Sequence, residues 1–180
     1  MVAPISRYFE DACRRAFKFL EAKYGFAVIQ ASTDPAEAHI TYANDTTAVD
    51  IRYELKDNVI FVYLVRLRDG KLPADLFQIR PGKPIDRHEI GSLIELRCPS
   101  LRLAQSSFRY PFSKKDFEII LFRYADVLKK YATDILGGNF SVFAELELWL
   151  RRLLTDSNKA KGQTREIRTG TGKFGKLGTG

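Results

Sequence analysis

Cysteine and histidine are scarce in this chain, and no apolar run reaches the roughly 18 to 20 residues needed to span a bilayer. The two cysteines, Cys13 and Cys98, are too few and too far apart for a disulfide scaffold or a zinc site. Each falls in a predicted helix or at its end, where a buried free thiol is expected. The two histidines, His39 and His88, stand at a predicted strand start and in the first turn of a predicted helix. Neither pairs by spacing with a cysteine or serine as nucleophilic catalysis requires, so both are expected on the surface. The opening residues, MVAPISRYFEDACRRAF, carry charge every few positions and lack the apolar block of a signal peptide. These scarcities predict a soluble cytoplasmic protein with no membrane partner, no cofactor and no metal.

What the chain does have is a hairpin. In residues 48–67, AVDIRYELKDNVIFVYLVRL, two strand-like runs flank the turn tripeptide Lys56-Asp57-Asn58. Val49, Ile51, Tyr53 and Leu55 alternate with Asp50, Arg52 and Glu54, which gives one apolar and one wet face. The second run, from Val59, is apolar on both sides until Arg66, as a well-covered central strand must be. Two more strand candidates precede it, 26–31 and 39–43, closed by Asp34-Pro35 and Asn44-Asp45.

Helical periodicity brackets the strands. Ile5, Phe9, Ala12, Ala16 and Leu20 form one stripe, with Pro4 suited to the first turn and Gly25 to the end. Residues 71–85 read as an irregular loop. Asp86 with Glu89 then resembles a capping box for a short helix carrying Ile90, Leu93, Ile94 and Leu96. After a second irregular stretch, Ser113 and Asp116 cap the longest helix, whose face is Phe117, Ile120, Leu121, Tyr124, Leu128, Tyr131 and Ile135. A last helix from near Asn139 is expected to bury Val142, Leu146, Leu150 and Leu153, with Glu147 and Arg151 paired outside. The predicted class is α+β: an N-terminal helix, a four-stranded antiparallel meander, three C-terminal helices and a disordered basic tail. At 180 residues this fits one domain over 1–156, followed by a Lys/Arg/Gly/Thr-rich tail over 157–180.

Charge is unevenly placed. Of the net +7, residues 97–115 carry +5 and residues 157–180 another +5, which leaves the remainder at −3. The first island interleaves aromatics with cations. Arg102, Phe108, Arg109, Tyr110, Lys114 and Lys115 are the candidate nucleic-acid contacts, because ring faces beside cations can stack bases and hold phosphates. The alternative for these aromatics, Phe112 included, is that they pin an irregular connection onto the core. The tail segment Gly170-Thr171-Gly172-Lys173-Phe174-Gly175-Lys176 imitates a phosphate-binding loop until Leu177 replaces the hydroxyl residue that would hold magnesium. Glu54-Leu55-Lys56 has the acid-x-lysine spacing of a metal-dependent nuclease, with Asp34, Asp45 or Asp50 as the second carboxylate and Glu10 and Glu21 on the preceding helix. Its simpler reading is the exposed face of an amphipathic strand.

Tyr24-Gly25-Phe26, Tyr42-Ala43-Asn44 and Val49-Asp50-Ile51-Arg52-Tyr53-Glu54 together resemble a group of small uncharacterised bacterial α+β proteins, some of them immunity-like. The likeness covers about residues 5–67 and consists of a helix stop, a turn and an alternating strand. It implies a protein that acts by binding another protein, and it transfers no functional residue. Nuclease-blocking immunity proteins are often acidic, a habit from which this basic chain departs. The expected function is therefore non-enzymatic binding to another protein, with nucleic-acid binding through 97–115 and the tail as the alternative and nuclease activity third.

Overall fold

A computed structural model describes residues 4–74, 82–103, 112–153 and 155. The order is α1 (Pro4–Ala16), α2 (Lys18–Tyr24), β1 (Ala27–Thr33), β2 (Glu37–Ala43), β3 (Thr47–Glu54), β4 (Val59–Arg66), β5 (Arg87–Glu89), α3 (Ile90–Arg97), α4 (Lys114–Tyr131) and α5 (Thr133–Leu136), with a last helix α6 over 141–153. The class is α+β, and the sheet is an antiparallel meander in the order β1-β2-β3-β4-β5. Among the described residues no helix is long and apolar enough to cross a membrane.

Register follows from the side-chain alternation. Ile40 faces Ile51, which faces Val62, while Val49 faces Leu64. These side chains are fully buried and join Phe9, Phe17, Leu20, Phe117, Leu121 and Leu128 from the helices in one core. Each such side chain contributes about 1.5–3 kcal/mol by leaving water. The turn between β3 and β4 is locked to that core. Asn58 adopts a left-handed conformation at φ 52°, and its side-chain oxygen accepts from the Tyr53 hydroxyl at 2.9 Å and the Phe112 amide at 3.3 Å.

Several expectations are corrected. The sheet has five strands, because Arg87-His88-Glu89 completes the edge of β4 where a helix start was predicted. Asp86 does not cap that helix. It is buried, and its carboxylate accepts from Arg66 Nε at 2.8 Å and from Arg68, while Glu89 sits at the helix start without a side-chain cap bond. His88 is not a surface histidine. It lies opposite Leu64 on the core face, with its ring 4.6 Å from that of Phe143.

The N-terminal helix is two helices, broken at Phe17 so that the adjacent Ala16 and Phe17 both turn inward. Gly25 ends the second at φ 68°, donating its N–H to the Leu20 carbonyl. The long helix stops at Tyr131 and not at Gly137, since a break at Ala132 lets Ala132, Ile135 and Leu136 all reach the core. Cys13 is a buried free thiol as expected, but Cys98 is only partly covered.

Asn139 caps α6 through the Ser141 amide at 3.0 Å, and Val142 and Leu146 are buried. The chain divides after Leu146 into two units, and of the second the described residues are 147–153 and 155. In the second, Arg151 pairs with Glu147 at 2.8 Å as expected, whereas Leu153 is exposed and not buried. The predicted disorder of 157–180 and the phosphate-loop imitation lie outside the described residues, as do 75–81 of the first irregular loop.

Candidate functional site

The basic-aromatic island divides sharply. Phe112 belongs to the core, buried and stacked 5.7 Å from Tyr53 with an edge contact to Phe117 at 5.5 Å. That is the pinning role. Phe108, Arg109 and Tyr110 lie outside the described residues. Arg102 is exposed, with Nη1 turned back onto the Pro99 and Leu101 carbonyls. Lys114 and Lys115 occupy the first turn of α4, exposed, beside the Ser113–Asp116 capping box. The two lysines are neighbours on one helix end, and Arg102 lies on the loop that follows α3.

Between that loop and α4 lies a groove of about 440 Å³. Arg97 sets it up. Its guanidinium donates to Asp134 at 2.8 and 2.6 Å and to the Tyr131 carbonyl, tying the end of α3 to the end of α4. The chain then turns through the Leu101 amide to the Cys98 carbonyl, and Leu101 comes to rest against α4. The floor is apolar: Leu101, Ile119, Phe122, Val127 and Tyr131. Ile119 and Phe122 are 41% and 43% exposed, high for large apolar side chains on a helix that also has a fully buried stripe.

The rim is cationic. Arg123 makes no hydrogen bond or ion pair with any described residue. Lys130 lies 5.1 Å over the Tyr131 ring. Asp126, the one acid in the lining, is engaged by Lys129 at 3.0 Å. Lys115 stands one turn before Ile119, and so on the same stripe. At the end of α3, hydrogen bonding with the Tyr131 and Ser100 hydroxyls holds the Cys98 thiol below its usual value.

The other face of the sheet carries the residues of the nuclease-like tripeptide. Glu37, His39 and Thr41 of β2, Asp50, Arg52 and Glu54 of β3, and Phe61 and Tyr63 of β4 share it. Asp50 is buried and already engaged: Arg52 Nε donates at 2.7 Å, Thr41 Oγ1 at 3.1 Å, and Arg87 lies at 3.6 Å. Arg52 also reaches Glu37 at 2.9 Å, and the Arg87 guanidinium lies 3.3 Å from the Tyr63 ring centroid. Burial lowers both guanidinium values. For Arg52 the hydrogen bond and charge of Asp50, with Glu37, outweigh it, so its value is raised. For Arg87 burial prevails and the value falls.

Lys56 is exposed in the turn after β3, so the tripeptide does not present its acid and lysine on one strand. Among the described residues no three His, Cys, Asp or Glu side chains gather as a metal site. This face is a charge network centred on Asp50, in which the buried His39 Nε2 has no hydrogen-bond partner among the described residues. Removing one member of such a buried network typically costs about 3–5 kcal/mol.

The motifs behind the family resemblance also meet. Asn44 Nδ2 donates to the Tyr24 carbonyl at 3.2 Å and to that of Leu136 at 3.4 Å, joining the helix stop to the β2–β3 turn. Their role is structural. No family model, no curated protein and no solved structure matches this chain.

Sequence reasoning missed the groove. Its signal was present, because Ile119 and Phe122 fall off the stripe that Phe117, Ile120, Leu121, Tyr124 and Val127 define.

Proposed function

We propose that this chain is a non-enzymatic binding protein that takes an acidic amphipathic helix of a partner protein into the groove along α4. The observation that carries the reading is the groove itself: an apolar floor from Ile119 to Tyr131 edged by Arg123, a cation with no acid of its own among the described residues. A partner helix reads such a surface through apolar residues at three- and four-residue spacing. Arg123 and Lys130 are seven residues apart, about 10 Å along the axis, so acids two turns apart on the partner would meet both. A partner of the kind that immunity-like accessory proteins bind fits this reading.

Nucleic acid is the second reading, supported by Lys114 and Lys115, exposed together at the start of α4. Against it stands the Asp126 carboxylate in the groove lining, which does not suit a phosphate backbone.

The test is affinity purification of the full chain with Arg123→Glu and Phe122→Asp as controls. The expected result is one protein recovered in stoichiometric amount, resistant to nuclease, and bound at least tenfold more weakly by each variant. Salt-sensitive retention on DNA or RNA with no protein partner overturns the proposal in favour of the second reading.

A further inference from the structure

The outer edge of the sheet on the β1 side is unusual for an edge left in water. β1 spans seven residues, Ala27–Thr33, and six of them are exposed. The strand reads AVIQAST, with no lysine, acid, proline or glycine, inside a charge-free run of ten residues from Tyr24 to Thr33. Edge strands normally deter pairing with charge, proline or brevity. The opposite edge follows that habit, since β5 has three residues, two of them charged. In β1 the one deterrent is a register shift between Val28 and Gln30, which sets Ile29 outside the ladder, 53% exposed.

We infer that β1 pairs with β1 of a second copy of this chain, antiparallel across a twofold axis, to give one continuous ten-stranded sheet. Charge argues for this occupant. The positive excess of the chain sits in residues 97–115 and 157–180, outside β1, and a twofold through this edge brings no like charges face to face within the paired strands. Pairing of the edge with itself needs only backbone hydrogen bonds and small side chains. Ala31, Ser32 and the methyl of Thr33 allow close approach, and Ile29 of each copy lies at the end of the paired run. The register shift limits the straight run to Gln30–Thr33, so the interface is small and the pair exchanges with monomer.

Sedimentation equilibrium of the full chain over about 1 to 500 µM reads this directly, a range chosen to bracket weak interfaces. The mass is expected to rise from 20.6 kDa toward twice that value. Ile29→Lys and, separately, Ser32→Lys should move the midpoint at least tenfold upward with unchanged far-ultraviolet circular dichroism. In the unmodified chain, amide exchange across Gln30–Thr33 should slow as concentration rises, a readout that needs no variant. A chain that stays monomeric throughout, or a dimer indifferent to both lysines with exchange in β1 unaltered, overturns the inference.

Discussion

The Arg97 guanidinium and the Asp134 carboxylate meet fork to fork, Nη1 to Oδ1 at 2.8 Å and Nη2 to Oδ2 at 2.6 Å. Two parallel bonds fix orientation as well as distance, so the pair aligns the end of α3 with the junction of α4 and α5. The partial exposure of both side chains limits its worth to about 1 kcal/mol.

Hydrogen bonding to Arg97 holds the Asp134 carboxyl below its ordinary value of 3.8, with burial opposing. A depressed carboxylate stabilises the fold above its ordinary value, and that stability is lost as pH falls through the lower folded value. Asp134→Asn should therefore lower the thermal midpoint at pH 7, and the deficit should close below pH 3.8. Paired calorimetric scans at the two pH values check it. A deficit that persists in acid would assign the loss to packing.

Glu89 behaves in the opposite sense. Burial raises its carboxyl above 4.5, and the nearby Arg87 only partly offsets this. A raised carboxyl favours the folded state below 4.5, and that advantage disappears as pH climbs through the folded value. Glu89→Gln is expected to raise the thermal midpoint at pH 7 and to be neutral at pH 4 or below, as measured by thermal melts across that range.

Two tyrosines on the core face separate the effect of a hydroxyl from that of a ring. The Tyr42 hydroxyl is buried without a hydrogen-bond partner among the described residues, and burial, with the neighbouring Cys13, drives its ionisation far above the usual range. The Tyr53 hydroxyl donates to Asn58 at 2.9 Å. Tyr42→Phe should be neutral or stabilising by about 1 kcal/mol, and Tyr53→Phe destabilising by about 1–2 kcal/mol. Chemical denaturation of both variants decides it, and equal losses would contradict the assignment.

The legible parts of this fold were those whose cause is local. The alternation of Val49, Ile51 and Tyr53 against Asp50, Arg52 and Glu54 is written in consecutive residues, and the two faces of the strand follow it, although Asp50 is buried where a wet face was expected. Gly25 stops its helix for a reason contained in its own backbone. The fifth strand has no such local cause. Arg87-His88-Glu89 is polar, three residues long and next to a plausible helix cap, and only the free edge of β4 makes it a strand.

Asp86 went unread for the same reason, since its two arginine partners lie 18 and 20 residues earlier. The breaks at Phe17 and Ala132 leave the apolar stripe intact and so leave no trace in spacing. The groove required knowing that α4 offers two apolar stripes to one sheet, so that the second, with Ile119 and Phe122, is left over.

The unequal lengths of the outermost strands, seven residues in β1 and three in β5, bear on how far any strand-by-strand growth could run. Polymerising sheets need a receptive margin at both ends, so that each newcomer offers what it has just consumed. Here the far margin is a stub that leads at once into α3. Addition on the β1 side is therefore self-terminating, and this geometry resists fibre formation even though its longer rim carries none of the usual deterrent charges.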